Sequence, residues 1–399
     1  MSLRSGISFW QASGPPPVAA PPLAGDAKCE VLVVGGGITG ALIAHRLVKE
    51  GIDTLLIDRR DLGTGSTAAS TGLLQYEVDT PLVDLIAKVG EKNAVQAYRR
   101  GLSAIDEIEL LTQELGDDCG FNRRPSLYFA SHWWHTRHLR REFDCRKSHG
   151  FQVELLDRTA LSAASSIRSP ATIRSHGDAQ IDPYRLTQAL LKAALRAGLR
   201  AHSHVAMLHA DEHPACVQVQ TSQGLVAARQ IVFATGYESH CYLKHPPASL
   251  HSTYALVSEP ITDFAGWPEG SLIWETARPY FYARQTPDGR AMIGGADTVF
   301  SNDHERDHLV ERKASSLQKR FKKLFPAIRF EPAFAWAGTF GESKDGLAYI
   351  GKPAGRPNIY FAIGYGGNGI TFSMIAAKLI ADLYHGRPND EAAVFRFGR

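Results

Sequence analysis

Apolar positions along the chain fall into short uninterrupted runs and, between them, into helical spacings. Glu30-Val31-Leu32-Val33-Val34 reads as a buried strand. After Gly35-Gly36-Gly37-Ile38-Thr39-Gly40, the residues Ile38, Ala41, Leu42 and Val48 recur at helical period up to Glu50. Gly51 ends that helix, and Thr54-Leu55-Leu56-Ile57-Asp58 supplies a second buried strand. The unit from Glu30 to Asp58 has the length of a parallel β-α-β crossover, about 30 residues.

A long helical region is predicted from about Val83 to Leu115, then mixed structure with a basic stretch from Arg137 to Lys147. Asp182-Pro183-Tyr184 opens another helix, whose stripe of Leu186, Leu190, Ala193 and Ala197 ends at Gly198. Strands follow at Cys216 to Gln220, Leu225 to Ala228 and Gln230 to Gly236. Aromatic-rich strands from Leu250 to about Gly295 precede a basic helix from Glu311 to Phe325. The chain closes with a strand from Asn358 to Gly364, the loop Tyr365-Gly366-Gly367-Asn368-Gly369, and a helix from Ile370 to about Tyr384.

Composition narrows the class. With 399 residues, 44% hydrophobic and 21% charged, the chain is globular, with material for two domains or one very large one. Disordered, collagen-like and coiled-coil classes are excluded. A net charge of +3 demands neither a nucleic-acid nor an anionic-membrane partner. Cys29, Cys119, Cys145, Cys216 and Cys241 are scattered with no C-x-x-C pair, which argues against a disulfide framework and a zinc site, so reduced and mostly buried thiols are expected. The uncharged stretch from Ser5 to Gly25 holds five prolines that a signal or anchor helix would not tolerate. No run of about 18 apolar residues occurs, so no membrane span is expected. The class expected is a cytoplasmic enzyme or binding protein.

The 36 glycines are informative by position. Gly35, Gly37 and Gly40 lie between strand and helix, and Asp58 ends the next strand 18 residues after Gly40. In that context they permit a tight turn, close approach of a pyrophosphate, and close helix–strand packing, while the helix N-terminus at Ile38 and Thr39 faces the phosphates. Asp58 is placed to accept both ribose hydroxyls. Arg59-Arg60 and the small, hydroxyl-rich run from Gly63 to Gly72 suit a chain lying along a long ligand.

The sequence here resembles the flavoenzyme superfamily of D-amino-acid oxidase, glycine oxidase and sarcosine oxidase. The resemblance rests on the ordered series of the Gly35 to Gly40 fingerprint with Asp58, the Gly65 to Gly72 segment, Asp182-Pro183-Tyr184, Ala234-Thr235-Gly236, Pro287 to Arg290 with Ile293-Gly294-Gly295, Trp336-Ala337-Gly338, Asp345-Gly346-Leu347 with Ile350-Gly351, and Gly364 to Ile370. Phe9-Trp10 ahead of the fingerprint also looks like the gamma-glutamylputrescine oxidase branch.

The resemblance implies a Rossmann-like (βαβ) α/β domain binding extended FAD, interleaved with an α+β substrate domain on a mainly antiparallel sheet. The expected boundaries are a Pro-rich arm over 1–27, an FAD domain over 28–82, 150–245 and 330–399, and a substrate domain over 83–149 and 246–329. Gly35, Gly37, Ile38, Thr39, Gly40, Asp58, Arg59, Ser66, Thr67, Ser70, Thr71, Gly72, Leu73, Val205, Ala234, Thr235, Gly236, Gly338, Gly364, Gly366, Gly367, Asn368, Gly369, Ile370 and Thr371 would border the cofactor. Sarcosine oxidases attach flavin through a cysteine in the C-terminal third, and no cysteine follows Cys241, so the FAD is expected to be non-covalent.

Two departures stand out. The substrate-gripping arginine that commonly lies two residues after the glycine of Trp-Ala-Gly is Phe340, and the arginine that glycine oxidases place before Asn-Gly-Ile is Gly367. Arg278 and Arg284 are the replacements at hand, with a surface or structural cation as the other reading of each, and Tyr254, Tyr280 and Tyr282 are the candidate pocket walls, with core packing as theirs. The expected reaction oxidises the C–N bond of a small amine or amino acid to an imine by hydride transfer to flavin N5, then hydrolysis and reoxidation by oxygen or another acceptor. The alternatives are a dehydrogenase of a 2-hydroxy acid or alcohol with a quinone or protein acceptor, and an RNA-associated or non-catalytic FAD-binding protein. The last rests only on the basic face of the Glu311 to Phe325 helix, whose Leu317, Phe321, Leu324 and Phe325 fit an ordinary amphipathic helix. No nucleic acid is expected.

Overall fold

The computed structural model describes residues 2–243 and 248–399. The β-α-β unit forms as its pattern predicts: Ala27–Val34 and Thr54–Ile57 pair in parallel with Val33 opposite Leu56, and helix Ile38–Lys49 crosses between them. Val31 to Val34 are all buried because their strand lies inside an eight-stranded sheet. Its order is Met207–Glu212, Val217–Thr221, Gly224–Phe233, Ala27–Val34, Thr54–Ile57 and Arg200–His202, with Ile359–Ile363 and Tyr349–Gly351 joined beyond Gly224–Phe233. Helix Ile38–Lys49 packs between Pro183–Arg196 and Gly369–His385 on one face. Asp182 caps Pro183–Arg196 by accepting from the Tyr184 and Arg185 amides at 2.9 Å.

A second eight-stranded sheet runs Pro332–Ser343, Ala248–Ser258, Ala291–Val299, Phe281–Gln285, Leu272–Glu275, Ser126–Phe129, Ala171–Ser175 and Val153–Asp157. All its pairings are antiparallel except that of Leu272–Glu275 with Ser126–Phe129. Helix Val310–Leu324 covers it, burying Leu317, Phe321 and Leu324 while Arg312, Lys319, Lys322 and Lys323 face outward. This is the amphipathic arrangement its spacing predicts. The architecture is therefore a Rossmann-like parallel core beside a mainly antiparallel sheet.

Four details differ from the sequence expectations. The long helix divides into Leu82–Val89 and Glu91–Leu115 at Gly90, whose φ of 82° breaks the helical path. The strands expected at Leu225 and Gln230 are one, Gly224–Phe233: its first half pairs with Val217–Thr221 and its last residues with Ile359–Ile363. Strands Val153–Asp157, Ala171–Ser175 and Pro332–Ser343, expected with the first sheet, hydrogen-bond in the second, and helix Glu91–Leu115 packs on Gly369–His385 of the first layer. Cys29, Cys119, Cys145 and Cys216 are free, but of these only Cys119 is fully buried; the Cys241 side chain lies outside the described residues. No helix among the described residues is long and apolar enough to cross a membrane.

Candidate functional site

One long cavity of about 530 Å³ runs between the two sheets, within the size range of small-molecule sites. At one end, the turn after Ala27–Val34 leads into helix Ile38–Lys49, whose cap residue Gly37 offers no side-chain hydrogen bond. The Ile38 amide donates to Thr67 Oγ1 at 2.9 Å and the Gly35 amide to the Ile57 carbonyl at 2.8 Å, and Gly35, Gly37, Ile38 and Thr39 line the cavity. Gly40 serves packing alone, since a Cβ there would lie 1.8 Å from the Gly35 carbonyl oxygen. Asp58 is fixed from both sides: one carboxylate oxygen accepts from the Gly36 amide at 2.7 Å and the other from the Arg60 amide at 2.8 Å. Burial raises its pKa against those bonds. The Arg59 and Arg60 guanidinium groups both hold the Glu238 carboxylate.

Along the middle, the hydroxyl-rich run forms the short helix Ser66–Ala69. The indoles of Trp10 and Trp336 donate to the Ser70 and Ala69 carbonyls at 2.6 and 2.9 Å. The Ser66 hydroxyl oxygen lines this stretch, buried and without a partner among the described residues.

The far end is built from the last glycine loop and the aromatic strands. Helix Gly369–His385 starts at Asn368, whose side-chain amide donates to the Gln75 and Glu77 carbonyls at 3.1 and 2.8 Å. That leaves the helix N-terminus uncapped at the cavity. Asp79 accepts from the Gly367 amide at 2.7 Å, and a Cβ on Gly367 would lie 2.9 Å from the other Asp79 carboxylate oxygen. A carboxylate therefore fills the space into which a side chain at 367 would project. Burial raises the Asp79 pKa, opposed by the Gly367 bond and by Arg278. The Arg278 guanidinium lies 4.6 Å from the Tyr280 ring centre and donates to the Asp79 carbonyl at 3.1 Å. Burial pushes the Tyr282 phenol up to about 12, opposed by hydrogen bonds with the Thr71 and Thr253 side chains, and burial also raises Tyr280 well above the usual phenol range, so both stay protonated.

Most residues singled out in the sequence lie on this wall: Gly35, Gly37, Ile38, Thr39, Asp58, Arg59, Ser66, Thr67, Ser70, Thr71, Leu73, Val205, Ala234, Thr235, Gly236, Gly338, Gly366, Gly367, Asn368, Gly369, Ile370, Tyr280, Tyr282 and Arg278. Six do not line it. Gly40 and Gly72 sit behind the wall where backbones meet, a Cβ on Gly72 falling 2.1 Å from the Ile181 carbonyl oxygen. Gly364 ends strand Ile359–Ile363 one turn back, and Thr371 is turned into its own helix, donating to the Asn368 carbonyl. Tyr254 lies in the hydrophobic core of the second sheet, its hydroxyl 3.4 Å from Thr298. Arg284 is fully buried and donates to the Gly72 and Ile181 carbonyls at 2.8 Å, and burial pushes its pKa down to about 9. Both are structural. The sequence reading missed Asp79, Glu77, Gln75, Trp274, Tyr237 and Leu3 on the wall. Trp274 belonged to the named aromatic strands, whereas nothing local distinguishes Asp79.

Comparison with known proteins gives a consistent assignment. Residues 30–383 match the family model described as DAO: FAD dependent oxidoreductase. Glycine oxidase of Bacillus subtilis is 26% identical over 89% of this chain and 92% of its own length. Gamma-glutamylputrescine oxidoreductase of Escherichia coli is 25% identical over 90% of this chain and 84% of its own. The crystal structure of glycine oxidase from Geobacillus kaustophilus superposes with a TM-score of 0.79 at 21% identity, covering 94% of this chain and 99% of that one.

Proposed function

The chain belongs to the DAO family of FAD-dependent oxidoreductases, and from that premise we propose that it oxidises the C–N bond of a small amine or amino acid at the aromatic end of the cavity. The observation that carries the reading is the continuity of one cavity from the Gly35 to Gly37 turn to Tyr280, Tyr282, Arg278 and Asp79. The residues fit FAD. The helix start after Gly37, the Thr67 hydroxyl beside it and the Ser66 hydroxyl, which has no partner among the described residues, suit its phosphates. Asp58 suits the adenosine ribose, and the open N-terminus of Gly369–His385 suits the flavin edge on which negative charge develops. FAD, when bound, supplies the two-electron acceptor.

The protein's own groups place the substrate. Tyr280 and Tyr282 present protonated phenols beside a carboxylate and a guanidinium, so a substrate nitrogen is oriented by Asp79 and an anionic end by Arg278. The raised pKa of Asp79 lets it take a proton from an ammonium group and leave the amine neutral for oxidation. Oxygen uptake with peroxide release across a panel of primary amines, N-methyl amino acids, D-amino acids and hydroxy acids tests this. The expected result is turnover confined to nitrogen substrates, with KM raised at least about tenfold by Asp79→Asn, the loss of one charge-assisted hydrogen bond. Turnover of hydroxy acids alone contradicts it.

A further inference from the structure

The basic stretch from Arg137 to Lys147, which takes no part in the cavity, forms with the turn before it a distinct surface. Trp133 and Trp134 are 77% and 57% exposed at the tip of that turn, their rings 5.8 Å apart, with His132 stacked on Trp134 at 4.4 Å. Helix Thr136–Ser148 follows, burying Leu139, Glu142 and Arg146. Arg146 anchors it from beneath through Glu77 at 2.7 Å, and Glu142 by accepting from the Leu82 and Val83 amides at 2.9 Å. The opposite face carries Arg137, Arg140, Arg141 and Lys147 against the single acid Asp144, all exposed. Positions 137, 140, 141, 144 and 147 repeat at helical spacing and so share one side. Among the described residues the three arginines have no ion-pair partner.

The surface is held rigidly. The Ser131 amide donates to Thr276 Oγ1 at 3.0 Å, the Ser131 hydroxyl to Glu275 at 2.8 Å, and His135 meets Thr276 Oγ1 at 2.6 Å. These bonds tie the tryptophan turn to the segment that continues directly into the cavity-lining Arg278. Two adjacent exposed indoles are an expensive surface to keep in water. Indole is apolar in body with one polar N–H, and it partitions to the lipid headgroup boundary, where unpaired cations beside it meet anionic headgroups.

We propose that Trp133, Trp134 and the Arg137, Arg140, Arg141 face dock the protein peripherally on an anionic lipid surface. Charge selects this occupant over a second copy, because a two-fold contact would set the same arginines against themselves. The net charge of +3 conceals the patch by averaging it over the whole chain. The surface is independent of the reading of the cavity, and its test needs no turnover.

Purified flavin-loaded protein is sedimented with vesicles of phosphatidylcholine alone and of phosphatidylcholine mixed with phosphatidylglycerol. Binding is expected only to the mixed vesicles, weakening as salt is raised. R140Q/R141Q should lower the partition coefficient about 25-fold, at about fivefold per cation near the surface. W133S/W134S should remove the binding that remains at high salt. All four positions are exposed, so flavin content and unfolding midpoint should match the parent. No sedimentation with mixed vesicles at low salt overturns the proposal, as does binding that neither variant weakens. Self-association, or salt-sensitive retention on RNA, abolished by the variants in a protein that ignores the vesicles would also overturn it.

Discussion

Asp297 shows what burial does to one carboxyl in this protein. Burial pushes it up to about 7, opposed by the Thr253 hydroxyl, and one of its carboxylate oxygens has no partner among the described residues. The unfolded carboxyl titrates at about 4, so between there and about 7 the folded chain holds the extra proton. Stability therefore falls as pH rises through that window. Thermal unfolding of the flavin-loaded protein at pH 5 and pH 8 should show a loss of Tm that Asp297→Asn reduces, the remainder belonging to other buried carboxyls such as Asp182; parallel loss in both proteins would reject this. Asp58 is the second residue whose role is testable alone. Asp58→Ala unties the Gly36 and Arg60 amides and any ribose bond, and should weaken FAD binding by about 10 to 100-fold, the worth of one charged hydrogen-bonding group, read by flavin fluorescence on dilution. These two differ in legibility. Asp58 announced itself by ending the strand after a glycine fingerprint, whereas Asp297 and Asp79 gain their environments only from the tertiary fold. Asp79 meets Gly367 across 288 positions.

Among elements, the two glycine-bearing helix starts do opposite jobs. At Gly40 a Cβ would sit 1.8 Å from a backbone oxygen, while at Gly369 it meets nothing within 4 Å because it points toward the cavity. Gly40→Ala should abolish soluble folded protein. Gly369→Ala should keep the far-UV circular dichroism of the parent and lower the flavin-to-protein absorbance ratio, and a parent-like ratio would show that this helix start does not face the cofactor. The β-α-β unit was readable because burial and periodicity coincide in it. Strand Gly224–Phe233 was read as two because its pattern changes midway. Val226 and Ala228 alternate with less buried neighbours where it pairs with Val217–Thr221, then Ile231, Val232 and Phe233 are buried in succession beside Ile359–Ile363. A single strand passing from sheet edge to sheet centre changes its pattern in the same way as two strands with a break.

At the scale of the whole molecule, the Pro-rich arm is a structural partner of both sheets. Phe9 and Trp10 share a buried cluster with Ala68, Tyr184 and Trp336, Leu3 lines the cavity, and the Ser5 amide donates to the Ala337 carbonyl at 3.0 Å. Trp10→Ala should destabilise the protein by about 3–5 kcal/mol and accelerate flavin loss; a urea midpoint equal to the parent's would show the arm to be dispensable. The family and its cofactor were legible because the glycine turns that line the cavity leave their mark in glycine spacing. The proposed substrate end was legible in part, through two arginines missing at Phe340 and Gly367 and through Arg278, Tyr280 and Tyr282, whereas Asp79 joined that wall only in the fold. The most direct measurement is anaerobic titration of the yellow protein with amines, N-methyl and D-amino acids and hydroxy acids, following the flavin absorption band. Bleaching by a nitrogen substrate, and not by its hydroxy analogue, is the predicted result, with Asp79→Asn needing higher concentrations. A colourless protein without releasable FAD, or bleaching by hydroxy acids alone, would contradict the account.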